Sequence, residues 1–107
     1  MALRIERGSQ QFQGTFSELW LCTETTLDFA DAAVGSGTFA SVSLTVPGVA
    51  LGDIVLGVSV GVSTANTVIG GHVTAANTVV LTLLNNTAGA VNLASTVCKF
   101  MVGRPSW

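Results

Sequence analysis

Thr38-Phe39-Ala40-Ser41-Val42-Ser43-Leu44-Thr45-Val46-Pro47-Gly48 decides the fold of this chain. Ala40, Val42, Leu44 and Val46 are apolar, and Ser41, Ser43 and Thr45 fill the positions between them. A period of two is the mark of a strand with one face in a core and the other in water. Pro47-Gly48 ends it, because proline removes a ladder donor and glycine permits a tight turn.

The same punctuation recurs on both sides. Asp53–Ser59 is mostly apolar and reads as a strand buried on both faces. Val68–Val73 follows as a strand between two turns, Thr64-Ala65-Asn66-Thr67 and Thr74-Ala75-Ala76-Asn77. Its Gly70-Gly71 pair marks a bulge or a close backbone approach. Thr78–Leu84 is another strand, stopped by Asn85-Asn86-Thr87-Ala88-Gly89, and Val97–Val102 closes the domain. Toward the N-terminus, Val34–Gly37 is a turn and Thr26–Ala30 a short strand with Leu27 and Phe29 on one face. Phe16–Cys22 fits two periods: Phe16, Leu19 and Trp20 share a helical face, whereas Glu18, Trp20 and Cys22 share a strand face, and strand is the preferred reading. Strands about 10 residues apart, separated by Gly, Asn and Pro turns, predict an all-β chain: a small antiparallel β-sandwich or jelly-roll-like barrel with an N-terminal arm.

Residues 1–14 differ in composition, with Leu3, Ile5 and Phe12 set among polar residues, and read as an edge strand or an arm. The chain divides accordingly into an N-terminal arm or edge segment, 1–24, and a sandwich domain, 25–107.

Charge is distributed unevenly. Arg4, Glu6, Arg7, Glu18, Glu24, Asp28 and Asp31 lie in the first third, and only Asp53, Lys99 and Arg104 follow. With 9% charged residues and 49% hydrophobic ones, the chain lacks the Lys and Glu that keep a free monomer soluble. It suits a domain whose faces are covered by its own copies or by a larger assembly, and so a structural protein and not an enzyme. Net charge is −2, and four cations split between the two ends form no patch for phosphates, which argues against a nucleic-acid partner. The mean hydropathy of +0.63 invites a membrane reading. Yet the most apolar run, Val46–Val62, is broken by Pro47, Asp53, Ser59 and several glycines, so no membrane partner is expected. Met1–Arg7 alternates charged and apolar residues with no apolar stretch after it, unlike a secretion signal. Cys22 and Cys98 then read as free thiols partly buried in strands, with a disulfide between them as the alternative. The acceptor pattern Asn85-Asn86-Thr87 is read as chance.

Catalysis requires titratable groups that converge. His72 is the only histidine, and a triad of His72, Asp53 and a serine has no nucleophile elbow to support it. Glu24, Asp28 and Asp31 match no calcium loop, and Gly35-Ser36-Gly37-Thr38 precedes a strand where a phosphate loop would precede a helix. His72, Cys22 and Cys98 are too few for a metal centre, so neither metal nor cofactor is expected. Trp20 is either a core residue or a contact residue, and the terminal Trp107 fits a contact with a neighbouring subunit.

Three segments, Thr45-Val-Pro-Gly-Val-Ala-Leu-Gly-Asp-Ile-Val-Leu56, Gly71-His-Val-Thr-Ala-Ala-Asn-Thr-Val-Val-Leu81 and Asn85-Asn-Thr-Ala-Gly-Ala-Val-Asn92, together resemble a small β-sandwich domain recurrent in tailed-phage virion proteins. The resemblance spans residues 26–103. It implies a capsid decoration or cement protein, often trimeric, that sits on the capsid surface after assembly in the host cytoplasm and has the major capsid protein as its partner. The sandwich is expected to trimerise while the N-terminal arm and the Trp107 tail bind and stabilise the head, with Leu3, Arg4, Ile5, Arg7, Phe12, Trp20, Arg104 and Trp107 as the capsid and subunit contacts. The alternatives are a trimeric receptor- or glycan-binding knob of a tail fibre, using loops at Asn66 or Asn85–Ala90, and a small hydrolase centred on His72.

Overall fold

The computed structural model describes residues 1–7, 15–29 and 34–107. The described residues form seven strands: β1 (Ala2–Arg7), β2 (Phe16–Leu27), β3 (Thr38–Thr45), β4 (Ile54–Val60), β5 (Val68–Ala75), β6 (Thr78–Asn85) and β7 (Thr96–Pro105). They form two antiparallel sheets, a four-stranded one in the order β1-β2-β7-β4 and a three-stranded one in the order β3-β6-β5. The expected sandwich is therefore the fold, and no described residue is helical.

The alternation of β3 sets its position as expected. Ala40, Val42 and Leu44 pair with Leu83, Leu81 and Val79 of β6, which pair in turn with Ile69, Gly71 and Val73 of β5. These rows face Trp20, Cys22, Phe100 and Val102 of the other sheet, and all of them join one core. Gly71 is the close approach anticipated at the glycine pair: a Cβ there would stand 2.8 Å from Leu81 and 3.1 Å from Val55 of the opposite sheet. Gly70 has open space above it, and the irregularity in β5 lies between Val73 and Ala75. The β5–β6 hairpin turns through Ala76-Asn77, with Asn77 at φ 62°, a conformation asparagine tolerates better than most residues.

Two expectations change. Residues 16–24 are no arm: β2 lies between β1 and β7, and the 24/25 boundary falls inside it. The Glu18/Trp20/Cys22 period places Trp20 and Cys22 in the core, where the opposite sheet covers them. Only β1 is an edge. Similarly, β4 is not buried on both faces; it is an edge strand, and Ile54 and Leu56 are exposed. On this side β4 approaches β5 and closes the sandwich, whereas β1 and β3 make no such approach among the described residues.

Candidate functional site

The sheets divide the charge. Every described charged residue lies on a strand of the four-stranded sheet or directly beside one: Arg4, Glu6 and Arg7 in β1, Glu18 and Glu24 in β2, Asp28 just after it, Asp53 just before β4, Lys99 and Arg104 in β7. The three-stranded sheet carries no Asp, Glu, Lys or Arg at all.

Its outer face carries a row of large apolar side chains instead. Phe39, Leu84 and Val68 are paired in register across β3, β6 and β5, and are 68%, 42% and 60% exposed. Ser41 and Thr82 share a hydroxyl–hydroxyl hydrogen bond of 3.0 Å in the next row, and Ser43, Val80 and His72 form the one after. This row was missed by sequence reasoning. The signal was the parity of Phe39, which places it with Ser41 and Ser43 on the strand's solvent side.

The outer face of the four-stranded sheet has another character. An open groove of about 750 Å³ runs over Leu21, Leu56 and Met101, with Ala2, Arg4 and Lys99 also lining it. Beyond the groove the Phe16 ring lies over Gly103, where a Cβ would come within 2.6 Å of the ring and 3.2 Å of Leu56. Trp107, 77% exposed, packs against Phe16 with ring centroids 6.0 Å apart. Together these residues make an apolar band with cations beside it.

The expected contact residues do not gather into one patch. Arg4 and Trp107 are exposed on or beside this face, but Leu3 and Ile5 pack against the core. Arg7 lies in β1 opposite Glu18, and Phe12 is outside the described residues. Trp20 is a correction: at 0% exposure it cannot meet a partner, and its indole N–H donates to the Pro47 carbonyl at 3.1 Å. Arg104 is engaged inside the chain. Its Nε and Nη2 donate to Asp53 at 3.0 and 2.9 Å, Nη2 also donates to the Gly48 carbonyl at 2.9 Å, and its guanidinium lies 5.0 Å from the Trp20 ring centroid. Asp53 further accepts the Ala50 N–H at 2.8 Å, so the Val46–Asp53 loop is fastened to β7. The hydrogen bonds that Arg104 donates to Asp53 hold its pKa above its already high ordinary value.

His72 is exposed on the outer face of the three-stranded sheet, whereas Asn85 and the two cysteines point inward. Asn85 is fully buried: its amide nitrogen donates to the carbonyls of Val34 and Gly89, and its oxygen accepts from the Thr87 N–H and hydroxyl. The amide of the glycosylation-like triplet is thus a brace for the 85–91 loop, out of reach of a modifying enzyme. Cys22 and Cys98 are free thiols in the core. Burial pushes Cys22 up to about 11, and burial together with Glu24 raises Cys98, which suppresses the thiolate needed for reactivity. Among the described residues no group of three or more His, Cys, Asp or Glu is placed to hold a metal ion. No helix is long and apolar enough to cross a membrane.

No known family, no curated protein and no solved structure matches this chain.

Proposed function

We propose that this chain is a non-enzymatic structural protein of a virion: a decoration protein that binds and braces a phage head, with the major capsid protein as its partner and its own copies as neighbours. One observation carries the reading. This chain of 107 residues leaves apolar side chains exposed on both outer faces and, among the described residues, keeps its charge in or beside the four-stranded sheet. Exposed apolar patches on this scale mark protein contacts, and two opposed ones suit a subunit held between a shell and its own copies. The resemblance of the Thr45–Leu56, Gly71–Leu81 and Asn85–Asn92 segments to phage virion sandwiches supports the viral setting. The shell contact is assigned to the outer face of the four-stranded sheet, where the N-terminal strand contributes Arg4 and the band from Leu21 to Trp107 offers aromatic and methionine side chains.

The test is co-sedimentation of the purified protein with empty head shells of the virus that encodes it. Saturable binding is expected, together with a higher temperature of shell disruption. The paired variant Met101→Glu and Trp107→Ala should lose binding while keeping its fold, because both side chains are exposed. Wild-type protein that stays in the supernatant overturns the reading. Binding to a glycan array, with none to shells, would replace it with the tail-fibre knob.

A further inference from the structure

We infer that two copies of the chain join through β3, pairing it antiparallel with β3 of the second copy to make one continuous six-stranded sheet. This deepens the self-associating part of the proposed function and rests on it, but does not depend on the viral setting.

The four sheet edges are not equivalent. β1 carries Arg4, Glu6 and Arg7; β4 has a register shift between Val55 and Gly57; β5 has one between Val73 and Ala75 and lies on the side that β4 closes. Charges, bulges and covering elements are the usual protections of an edge strand. Among the described residues, β3 has none of them. It holds eight residues with no charge, no proline and no register shift against β6, and it lies on the open side of the sandwich. Beyond its ladder to β6, no backbone hydrogen bond to residues 39–45 is found among the described residues. An unprotected edge of this kind presents a row of donors and acceptors whose natural complement is another extended strand.

The side chains favour a second copy over a foreign strand. An antiparallel pair centred on Val42 sets Ala40 opposite Leu44 of the partner and Ser41 opposite Ser43. Each core-facing apolar residue then meets another, and the two serines meet each other, because positions of equal parity face the same way in both strands. The register also sets Phe39 opposite Thr45, giving that exposed ring a neighbour across the new ladder. The whole three-stranded sheet is uncharged, so no like charges meet. A strand that matches itself about its own centre implies a two-fold axis, so a pair and not the expected trimer is the unit this edge builds.

The experiment uses the full chain. Light scattering coupled to size exclusion is expected to give twice the chain mass of 10.9 kDa. The double variant Ser41→Lys and Ser43→Lys places lysines directly opposite each other across the axis, and should give single-chain mass with an unchanged circular dichroism spectrum. So should Ser41→Glu with Ser43→Glu. An equimolar mixture of the two variants should recover the doubled mass, which a misfolded variant could not do. A wild-type monomer overturns both the pairing and the self-association on which it rests. A wild-type trimer, or a dimer that persists in both variants, overturns the β3 pairing alone. Amide exchange gives a second reading: protection of residues 39–45 should rise with protein concentration, and concentration-independent exchange there counts against the pairing.

Discussion

Removing the Arg104 guanidinium should be among the most destabilising single changes outside the apolar core. The Asp53 carboxylate is 4% exposed and accepts three hydrogen bonds, two of them from Arg104. Arg104→Ala leaves that carboxylate with the Ala50 N–H alone, and breaking such a pair from one side typically costs about 3–5 kcal/mol. The Arg104 side chain is 35% exposed, so water can take over part of its role, which lowers this contribution to about 2 kcal/mol. Loss of the Gly48 carbonyl bond and of the contact with the Trp20 ring adds about 1–2 kcal/mol. A total near 3–4 kcal/mol is expected from urea unfolding, with the fully buried Trp20 as fluorescent reporter. Asp53→Ala should cost about 2 kcal/mol, because the guanidinium it releases can be solvated. The cycle closed by the double variant should then show a coupling of about 1.5 kcal/mol. A coupling below about 0.5 kcal/mol would refute the argument that this pair fastens the Val46–Asp53 loop to β7.

Stability should also fall at alkaline pH. Cys22 stays neutral in the fold up to about 11, whereas the unfolded thiol ionises from 9.0, so the unfolded state binds fewer protons in that window and is favoured as pH rises through it. The loss approaches about 2.7 kcal/mol by the upper end, with Cys98 acting in the same direction. Urea midpoints should therefore decline above about pH 9 in the wild type and less steeply in Cys22→Ala; equal slopes would contradict this. Asn85→Ala deprives the carbonyls of Val34 and Gly89 of their buried donor and should cost about 2–4 kcal/mol in chemical unfolding, whereas a surface asparagine would cost almost nothing. Gly103→Ala drives a methyl into the Phe16 ring and should lower stability by about 1–3 kcal/mol, and Phe16→Ala in the same chain should recover part of that loss.

Much of the architecture follows from local pattern. Residues 40–46 identify their strand and its buried face because alternation is a property of a strand itself, independent of what it pairs with. The turns at Pro47-Gly48 and Asn85–Gly89 are local in the same way. Thr78–Leu84 reads as a strand, but its buried face is not marked, because Val80 and Leu84 are as apolar as Val79, Leu81 and Leu83. The candidate surface was far less legible. Phe39 shares its side of the strand with Ser41 and Ser43, and only the register with Leu84 and Val68 turns it into a row. Arg104 and Asp53 lie 51 residues apart, and nothing in either segment marks the other as its partner.

By itself, then, the amino-acid sequence determined an all-β chain, the faces of its best strands, a scarcity of charge and the lack of an obvious catalytic motif. Tertiary structure alone decided that β2 is interior and β4 an edge, that Trp20 is core, and that, among the described residues, charge gathers in or beside one sheet and β3 is the edge without protection. The reason is that side-chain period is encoded within each strand, whereas strand order depends on long-range pairing between segments. A residue's exposure, and with it any role in binding, is settled only after those pairings are made.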